Sequence, residues 1–213
     1  MTMIQRIFFS KEVRDWLDLP EDVTILIFMK LETIELLQNA QMEVINRSSG
    51  QLVEFCYHGW VTDELLLYVA FRSTSLKYLR LEACIKLSKA GLIVAARKLP
   101  LLEELELCWY CYSGKVIEEV GRYCQKLKYF RLSNKFHLND KNNCNDDAIA
   151  IAQSMPQLRR LNLFANSLTN DGLQAILDGC PHLEFLDLQQ CSGIHLEGEF
   201  LKKCVDRFKV LRF

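Results

Sequence analysis

The strongest constraint on this chain is a leucine motif that recurs at a nearly constant interval. The pattern Leu-x-x-Leu-x-Leu is strict in four places and looser in three others. The strict copies are Leu76/Leu79/Leu81, Leu102/Leu105/Leu107, Leu158/Leu161/Leu163 and Leu183/Leu186/Leu188, and the looser ones are Leu52/Phe55/Tyr57, Leu127/Phe130/Leu132 and Phe208/Leu211/Phe213. Successive first positions are 24, 26, 25, 31, 25 and 25 residues apart. A fixed period of this length indicates stacked structural units rather than one irregular core.

Each unit is expected to be a short strand followed by a helix. Within the motif, apolar and polar residues alternate, as on a strand with one buried face. Between motifs, apolar residues return at i, i+3, i+4 and i+7, which is one face of a helix. This stripe comprises Leu66, Val69 and Ala70; Leu92, Ala95, Ala96 and Leu99; Ile117, Val120, Gly121 and Cys124; Ala148, Ile151, Ala152 and Met155; Leu173, Ile176, Leu177 and Cys180; and Leu201 and Val205. The sequence therefore predicts an α/β solenoid with short parallel strands on its concave face and helices on its convex face.

The repeats resemble the cysteine-containing leucine-rich repeats of F-box proteins. Cys84, Asn166 and Cys191 stand three residues after the last leucine of their motifs, where a small polar or thiol side chain can serve the turning backbone. One repeat is similar in sequence to the usual repeat of that family: it runs Leu168-Thr169-Asn170-Asp171-Gly172-Leu173 and continues with Cys180-Pro181-His182-Leu183. Thr169 and Thr62, each followed by acidic residues, are expected to cap helix starts.

The N-terminal segment resembles the first half of an F-box, as in plant F-box/leucine-rich-repeat proteins. The resemblance lies in Trp16-Leu17-Asp18-Leu19-Pro20-Glu21-Asp22-Val23-Thr24 and continues through Glu35-Leu36-Leu37. A third helix of the Val-Cys-x-x-Trp type does not follow Ala40-Gln41, so the F-box is truncated. We therefore expect an extension over residues 1–15, a partial, helical F-box over 16–41, a linker over 42–51 and leucine-rich repeats over 52–213.

The family resemblance implies a substrate-recognition subunit of a Skp–cullin–F-box-type ubiquitin ligase, without catalytic activity of its own. It implies as partners a Skp-type adaptor, through it a cullin, and an unidentified substrate protein. The residues expected to contact the adaptor are Leu19, Pro20, Val23, Ile27, Leu31, Leu36 and Leu37. The missing third helix leaves open a stand-alone interaction scaffold or a degenerate F-box product that joins no ligase.

The outward strand positions are the candidate substrate-binding residues, because they mix aromatic side chains, arginine and both signs of charge, as interface hot spots do. They are Tyr78, Arg80, Glu82, Glu104, Glu106, Tyr129, Arg131, Arg160, Asn162, Phe164, Phe185 and Asp187. Cys108, Ser133 and Gln189 occupy further outward positions. The alternative is a solvated sheet face that binds nothing.

Charge and apolar content argue against several other classes of protein. The chain has 26 Lys and Arg against 27 Asp and Glu, a net charge of −1, which provides no global field for nucleic acid or anionic membrane. No apolar run approaches the roughly 18–20 residues of a membrane span, and no secretory signal is recognisable. We expect a protein of the cytoplasm, the nucleus or both, whose nine cysteines are thiols.

Enzymatic and metal chemistry are not expected. Cys108-x-x-Cys111 has no second pair at zinc-finger spacing, and His137 and Cys144 lie in an Asn-rich loop. Phosphate-binding glycine loops and nucleophile elbows are absent from the sequence. An enzyme that uses Cys108 and Cys111 is the weakest alternative, so the sequence predicts no catalytic, cofactor-binding or metal-ligating residues.

Overall fold

The computed structural model describes residues 7–9, 45–46, 48–59, 61–84, 86–109, 113–133 and 145–213. Strands and helices alternate along the chain from residue 52 onward. The strands are β1 (Ile7–Phe9), β2 (Leu52–His58), β3 (Tyr78–Glu82), β4 (Glu104–Cys108), β5 (Tyr129–Ser133), β6 (Arg160–Phe164), β7 (Phe185–Asp187) and β8 (Val210–Arg212). The helices are α1 (Asp63–Arg72), α2 (Lys89–Lys98), α3 (Gly114–Tyr123), α4 (Asp146–Ser154), α5 (Asn170–Gly179) and α6 (Gly198–Arg207).

The strands form one sheet in which spatial order equals chain order. From β2 to β8 all neighbours are parallel, and the motif leucines pair with one another from repeat to repeat. One such row is Phe55, Leu79, Leu105, Phe130, Leu161, Leu186 and Leu211. This continuous parallel ladder, with a helix between successive strands, confirms the predicted leucine-rich-repeat solenoid.

An additional strand lies at the N-terminal edge of the sheet. β1 pairs antiparallel with β2, and Ile7 stands opposite Phe55. The sequence predicted residues 1–15 only as an extension, because a single three-residue strand has no periodic signature. An added strand gives hydrogen-bond partners to an edge that would otherwise expose backbone donors and acceptors.

The core lies between the strands and the helices and is nearly as predicted. The inward motif residues of β2 to β7 are buried, and Leu161, Ile151 and Ile176 are fully enclosed. In the last motif Leu211 is half-buried and Phe213 is 66% exposed, because no further repeat of the described structure covers them. Most of the helical stripe is buried, and Ala152 and Leu201 are half-buried. Val205 is the exception, because it is 56% exposed while Cys204 is buried in its place. The prediction for Val205 is wrong because the buried Cys204 lies four positions before Phe208, whereas Cys180 lies three positions before Leu183.

Cysteine and asparagine side chains hold the turns of neighbouring repeats. The thiol of Cys191 donates to the carbonyl of Leu163 over 2.8 Å. Asn166 accepts a hydrogen bond from the backbone N–H of Leu168 over 2.9 Å, within its own turn. The predicted role of this position, to serve the turning backbone, is therefore confirmed at these two turns.

Helix starts are linked from one repeat to the next. Ser88 caps α2 by accepting a hydrogen bond from the N–H of Gly91 over 2.9 Å. Ser88 in turn donates through its backbone N–H and its hydroxyl to the carboxylate of Asp63, at 2.7 and 2.5 Å. Asp63 belongs to the first turn of α1, so one carboxylate orders the helix start of the following repeat.

A related link joins the starts of α4 and α5, where Asn145, the residue before α4, accepts a hydrogen bond from the backbone N–H of Thr169 over 2.9 Å. α1 and α5 begin beside Thr62 and Thr169, as predicted. The hydroxyl of Thr169, however, donates to Asn145 rather than capping its own helix.

None of the described helices is long and apolar enough to cross a membrane.

Candidate protein-binding face

The concave face is built from the outward positions of β2 to β8, which the parallel register aligns in three rows. The first row is Glu54, Tyr78, Glu104, Tyr129, Arg160, Phe185 and Val210. The middle row is Cys56, Arg80, Glu106, Arg131, Asn162, Asp187 and Arg212. The third row is His58, Glu82, Cys108, Ser133 and Phe164. Parallel strands lie about 4.8 Å apart, so each row is a line of closely spaced side chains.

The middle row is a ladder of alternating charge. The carboxylate of Glu106 lies between two guanidinium groups, 3.6 Å from Arg80 and 3.5 Å from Arg131. Arg80 also reaches Glu82 at 3.2 Å. Partial burial tends to lower the pKa of Arg80, but these two carboxylates raise it above its ordinary value. The ladder therefore favours the charged form of Arg80.

Arg160 crosses two strands of the face. Its guanidinium lies over the ring of Tyr129 on β5, 4.7 Å from the ring centre, and reaches Glu104 on β4 at 2.5 Å. A guanidinium over an aromatic face gains about 0.5–1 kcal/mol at an exposed site, which orients the side chain as well as holding it. Burial, with a further contribution from Glu106, raises the pKa of Tyr129 to about 12, so this ring remains a neutral phenol.

The C-terminal part of the face combines aromatic rings with a sheltered acid. Asn162 donates to the carboxylate of Asp187 over 3.2 Å, and Arg212 approaches that carboxylate at 3.9 Å. The guanidinium of Arg212 lies 5.5 Å from the ring centre of Phe185. Phe164 and Phe185 are half-buried, so part of each ring is accessible to solvent.

A second line of ion pairs runs along the residues that precede the strands. Lys77 and Lys128 both contact Glu103, at 3.5 and 2.6 Å, and Arg159 and Lys209 both contact Glu184, at 3.1 and 2.6 Å. The hydrogen bond from Lys128 lowers the pKa of Glu103. These pairs link the repeats of β3, β4 and β5 and, separately, those of β6, β7 and β8 at the rim of the concave face.

The thiols of the described chain are buried or half-buried, and burial raises their pKa values. Burial raises the pKa of Cys108 to about 11 and that of Cys56 to about 12. Reactive cysteines need a lowered pKa and access to solvent, and Cys108 is buried. Among the described residues no cluster of His, Cys, Asp and Glu could hold a metal ion.

All twelve predicted substrate-binding residues lie in the three rows, and Asp187 alone among them is buried. The structure adds residues from β2 and β8 that the sequence reasoning missed, notably Glu54 and Arg212. The looser motifs at Leu52 and Phe208 were the signal that could have found them. Trp109 follows β4 in a left-handed backbone conformation, with its ring edge-on to His58 at 6.0 Å.

Several predictions concern residues outside the described ranges. The residues predicted to contact the adaptor belong to this group: Leu19, Pro20, Val23, Ile27, Leu31, Leu36 and Leu37. The partial F-box over 16–41, Cys111, His137 and Cys144 do as well.

The fold and its concave face together define a class of protein: a leucine-rich-repeat solenoid whose concave face carries charged and aromatic side chains. The C-terminal domain of a tropomodulin from Caenorhabditis elegans has a similar fold, with a TM-score of 0.50 and 14% sequence identity, covering 68% of this chain and 92% of that one. At this identity the likeness concerns the fold alone.

Sequence comparison identifies the family. Residues 136–208 match the family model described as "FBD-associated F-box protein At5g56370, LRR repeats". F-box/LRR-repeat proteins 23 and 22 of Arabidopsis thaliana are each 37% identical to this chain, over 99% and 93% of its length. F-box protein SKIP19 of the same plant is 35% identical over 94%. The chain spans 56% of the length of the first of these relatives, 76% of the second and 78% of the third. It belongs to the plant F-box/LRR-repeat proteins.

Proposed function

We propose that this chain is the substrate-recognition subunit of a Skp–cullin–F-box-type ubiquitin ligase. Its N-terminal segment would bind a Skp-type adaptor, and the concave face of its repeats would bind the target protein. The chain would contribute proximity rather than chemistry, by holding the target near the ubiquitin donor. Its place would be the cytoplasm, the nucleus or both.

The observation that carries this proposal is the concave face itself. Seven strands align aromatic, basic and acidic side chains in register, and Tyr129, Phe164 and Phe185 remain partly accessible between charged groups. This composition is typical of the centre of protein interfaces, where aromatic residues and arginine carry most of the binding energy. The depression over β2 to β4, lined by Glu54, Arg80 and other residues, has a volume of about 110 Å³. This is smaller than the roughly 300–1,000 Å³ of small-molecule sites.

Binding of purified full-length chain to a purified Skp-type adaptor tests the proposal. We expect binding at micromolar concentration, weakened by at least about tenfold when Pro20→Ala is combined with Ile27→Asp, because a charge in an apolar docking stripe is left unpaired. Val205→Asp is the matched control, since Val205 is exposed on α6 and the same charge there meets solvent.

No adaptor binding by the wild-type chain, or equal binding by the Pro20/Ile27 variant, would contradict a role in a ligase. The remaining function would then be the stand-alone interaction scaffold that the truncated F-box motif left open. Co-migration of the chain with a cullin in cell extract would contradict that alternative.

A further inference from the structure

The charges of the concave face are unevenly distributed among its strands. β5 and β6, with the residue before each, carry four cations, Lys128, Arg131, Arg159 and Arg160, and no acid. The acids lie on the flanking strands and the residues before them, at Glu103, Glu104 and Glu106 on one side and Glu184 and Asp187 on the other. The middle of the concave face is therefore a basic stripe, formed by Lys128, Arg131, Arg159 and Arg160, between two acidic borders.

Each of the four cations pairs with an acid of a flanking strand, and in each pair the cation is the more exposed partner. The Lys128 side chain is 54% exposed and Glu103 is 23% exposed; for Arg160 and Glu104 the values are 50% and 31%. The long aliphatic stems of Lys and Arg carry their charged ends outward, while the carboxylates stay near the sheet. A partner that approaches this stripe meets positive groups first.

The basic stripe also has hydrogen-bonding capacity that the chain itself does not use. The contact of the Arg131 guanidinium with Glu106 is long, at 3.5 Å, and the Arg131 side chain is 33% exposed. Arg160 is already oriented by the ring of Tyr129. A guanidinium offers five N–H donors in a planar fork, so both arginines can donate hydrogen bonds to a further carboxylate.

We propose that the basic stripe binds an acidic segment, rich in Asp and Glu, of the target protein. The proposal deepens the proposed function, because it rests on the concave face being the surface that binds the target. Carboxylates of the target would share or replace Glu104 and Glu106 as partners of Arg160 and Arg131. A nucleic acid fits less well, since its continuous phosphate backbone extends beyond the two basic strands and meets the acidic borders, whereas a short acidic segment can lie within the stripe.

The test uses the full chain and a fluorescein-labelled peptide of alternating Glu and Ser, followed by fluorescence anisotropy. Copies with Gln or Lys in place of Glu are the matched probes. We expect the Glu peptide to bind at least about tenfold more tightly than either copy. Its affinity decreases when NaCl is raised from about 0.1 M to about 1 M, because the Debye length falls from about 10 Å to about 3 Å.

Two substitutions within one ion pair give opposite expectations. Arg160→Gln weakens binding of the Glu peptide by at least about tenfold, because the exposed guanidinium is removed and Glu104 is left to repel the peptide. Glu104→Gln strengthens binding severalfold, because Arg160 loses its internal competitor while its stacking on Tyr129 remains. Lys202→Gln on the convex helix α6, an exposed position, leaves affinity unchanged.

A purely structural role of this ion pair would weaken binding in both variants, and that result would overturn the proposal. Equal binding of the Glu and Gln peptides would overturn it as well, and so would tighter binding of a single-stranded oligonucleotide. Adaptor binding is measured on the same preparations. A chain that binds the adaptor but not the Glu peptide refutes this inference alone and leaves the proposed ligase role intact.

Discussion

The link between Asp63, Ser88 and Gly91 allows a prediction in which one substitution changes sign with its background. Two hydrogen bonds join the carboxylate of Asp63 to Ser88, and a Cβ atom added to Gly91 would lie 2.3 Å from the Oδ1 of Asp63. Gly91 therefore leaves the space that the carboxylate of the preceding repeat occupies. An alanine at position 91 displaces that carboxylate.

The magnitudes follow from the interactions lost. Asp63→Ala removes two hydrogen bonds to a charged acceptor at an exposed site, which costs about 2 kcal/mol. Gly91→Ala loses the same bonds but gains about 1 kcal/mol of helix propensity, so it lowers the free energy of unfolding by about 1 kcal/mol. In the Asp63→Ala background only the propensity remains, so Gly91→Ala raises the free energy of unfolding by about 1 kcal/mol. The coupling energy of the cycle is then about 2 kcal/mol.

Urea unfolding followed by far-ultraviolet circular dichroism measures all four proteins, and equal slopes against urea concentration establish comparable transitions. Glu64→Ala is the control, because it removes a neighbouring acid from the same helix start and leaves the Asp63–Ser88 bonds in place. Its effect should add to that of Gly91→Ala. Additive effects of Asp63→Ala and Gly91→Ala, or a stabilising Gly91→Ala in the wild type, would refute the reasoning.

Two further predictions concern backbone strain and thiol ionisation. Ala83 has a φ of +53°, which strains a residue with a Cβ atom, so Ala83→Gly should raise the free energy of unfolding by about 1 kcal/mol. Ala90→Gly, inside α2, should lower the free energy of unfolding by a similar amount. If urea unfolding shows that both variants are destabilised, Ala83 is not strained. Burial raises the pKa of Cys124 from 9.0 to about 12, so its thiol stays protonated in the fold while the unfolded thiol ionises. The free energy of unfolding should therefore fall as the pH rises from 9.0 toward 12. Cys124→Ala should make this decrease shallower by about 1.4 kcal/mol per pH unit. If urea unfolding at several pH values gives the same dependence on pH for both proteins, the prediction is contradicted.

The sequence alone determined the solenoid and the composition of its concave face. The period of the leucine motif implies units that bury their apolar faces on nearest neighbours, so Leu79, Leu105 and Leu161 had to fall in one row. Alternation along a strand then assigns Arg80, Arg131 and their neighbours to the opposite face. Both inferences need only local patterns, which is why they could be made before the structure was known.

Tertiary structure decided how the side chains of different repeats meet. The pairing of Arg160 with Glu104, across an intervening strand, depends on side-chain conformation and not on local periodicity. The pairing of β1 with β2 joins segments that share no repeat. From the sequence alone, Gly91 is only a weak helix former. In the fold, its missing side chain leaves room for the carboxylate of Asp63 from the preceding repeat. Contacts between repeats select these partners, because a one-dimensional pattern specifies which face a residue occupies but not which neighbour it reaches.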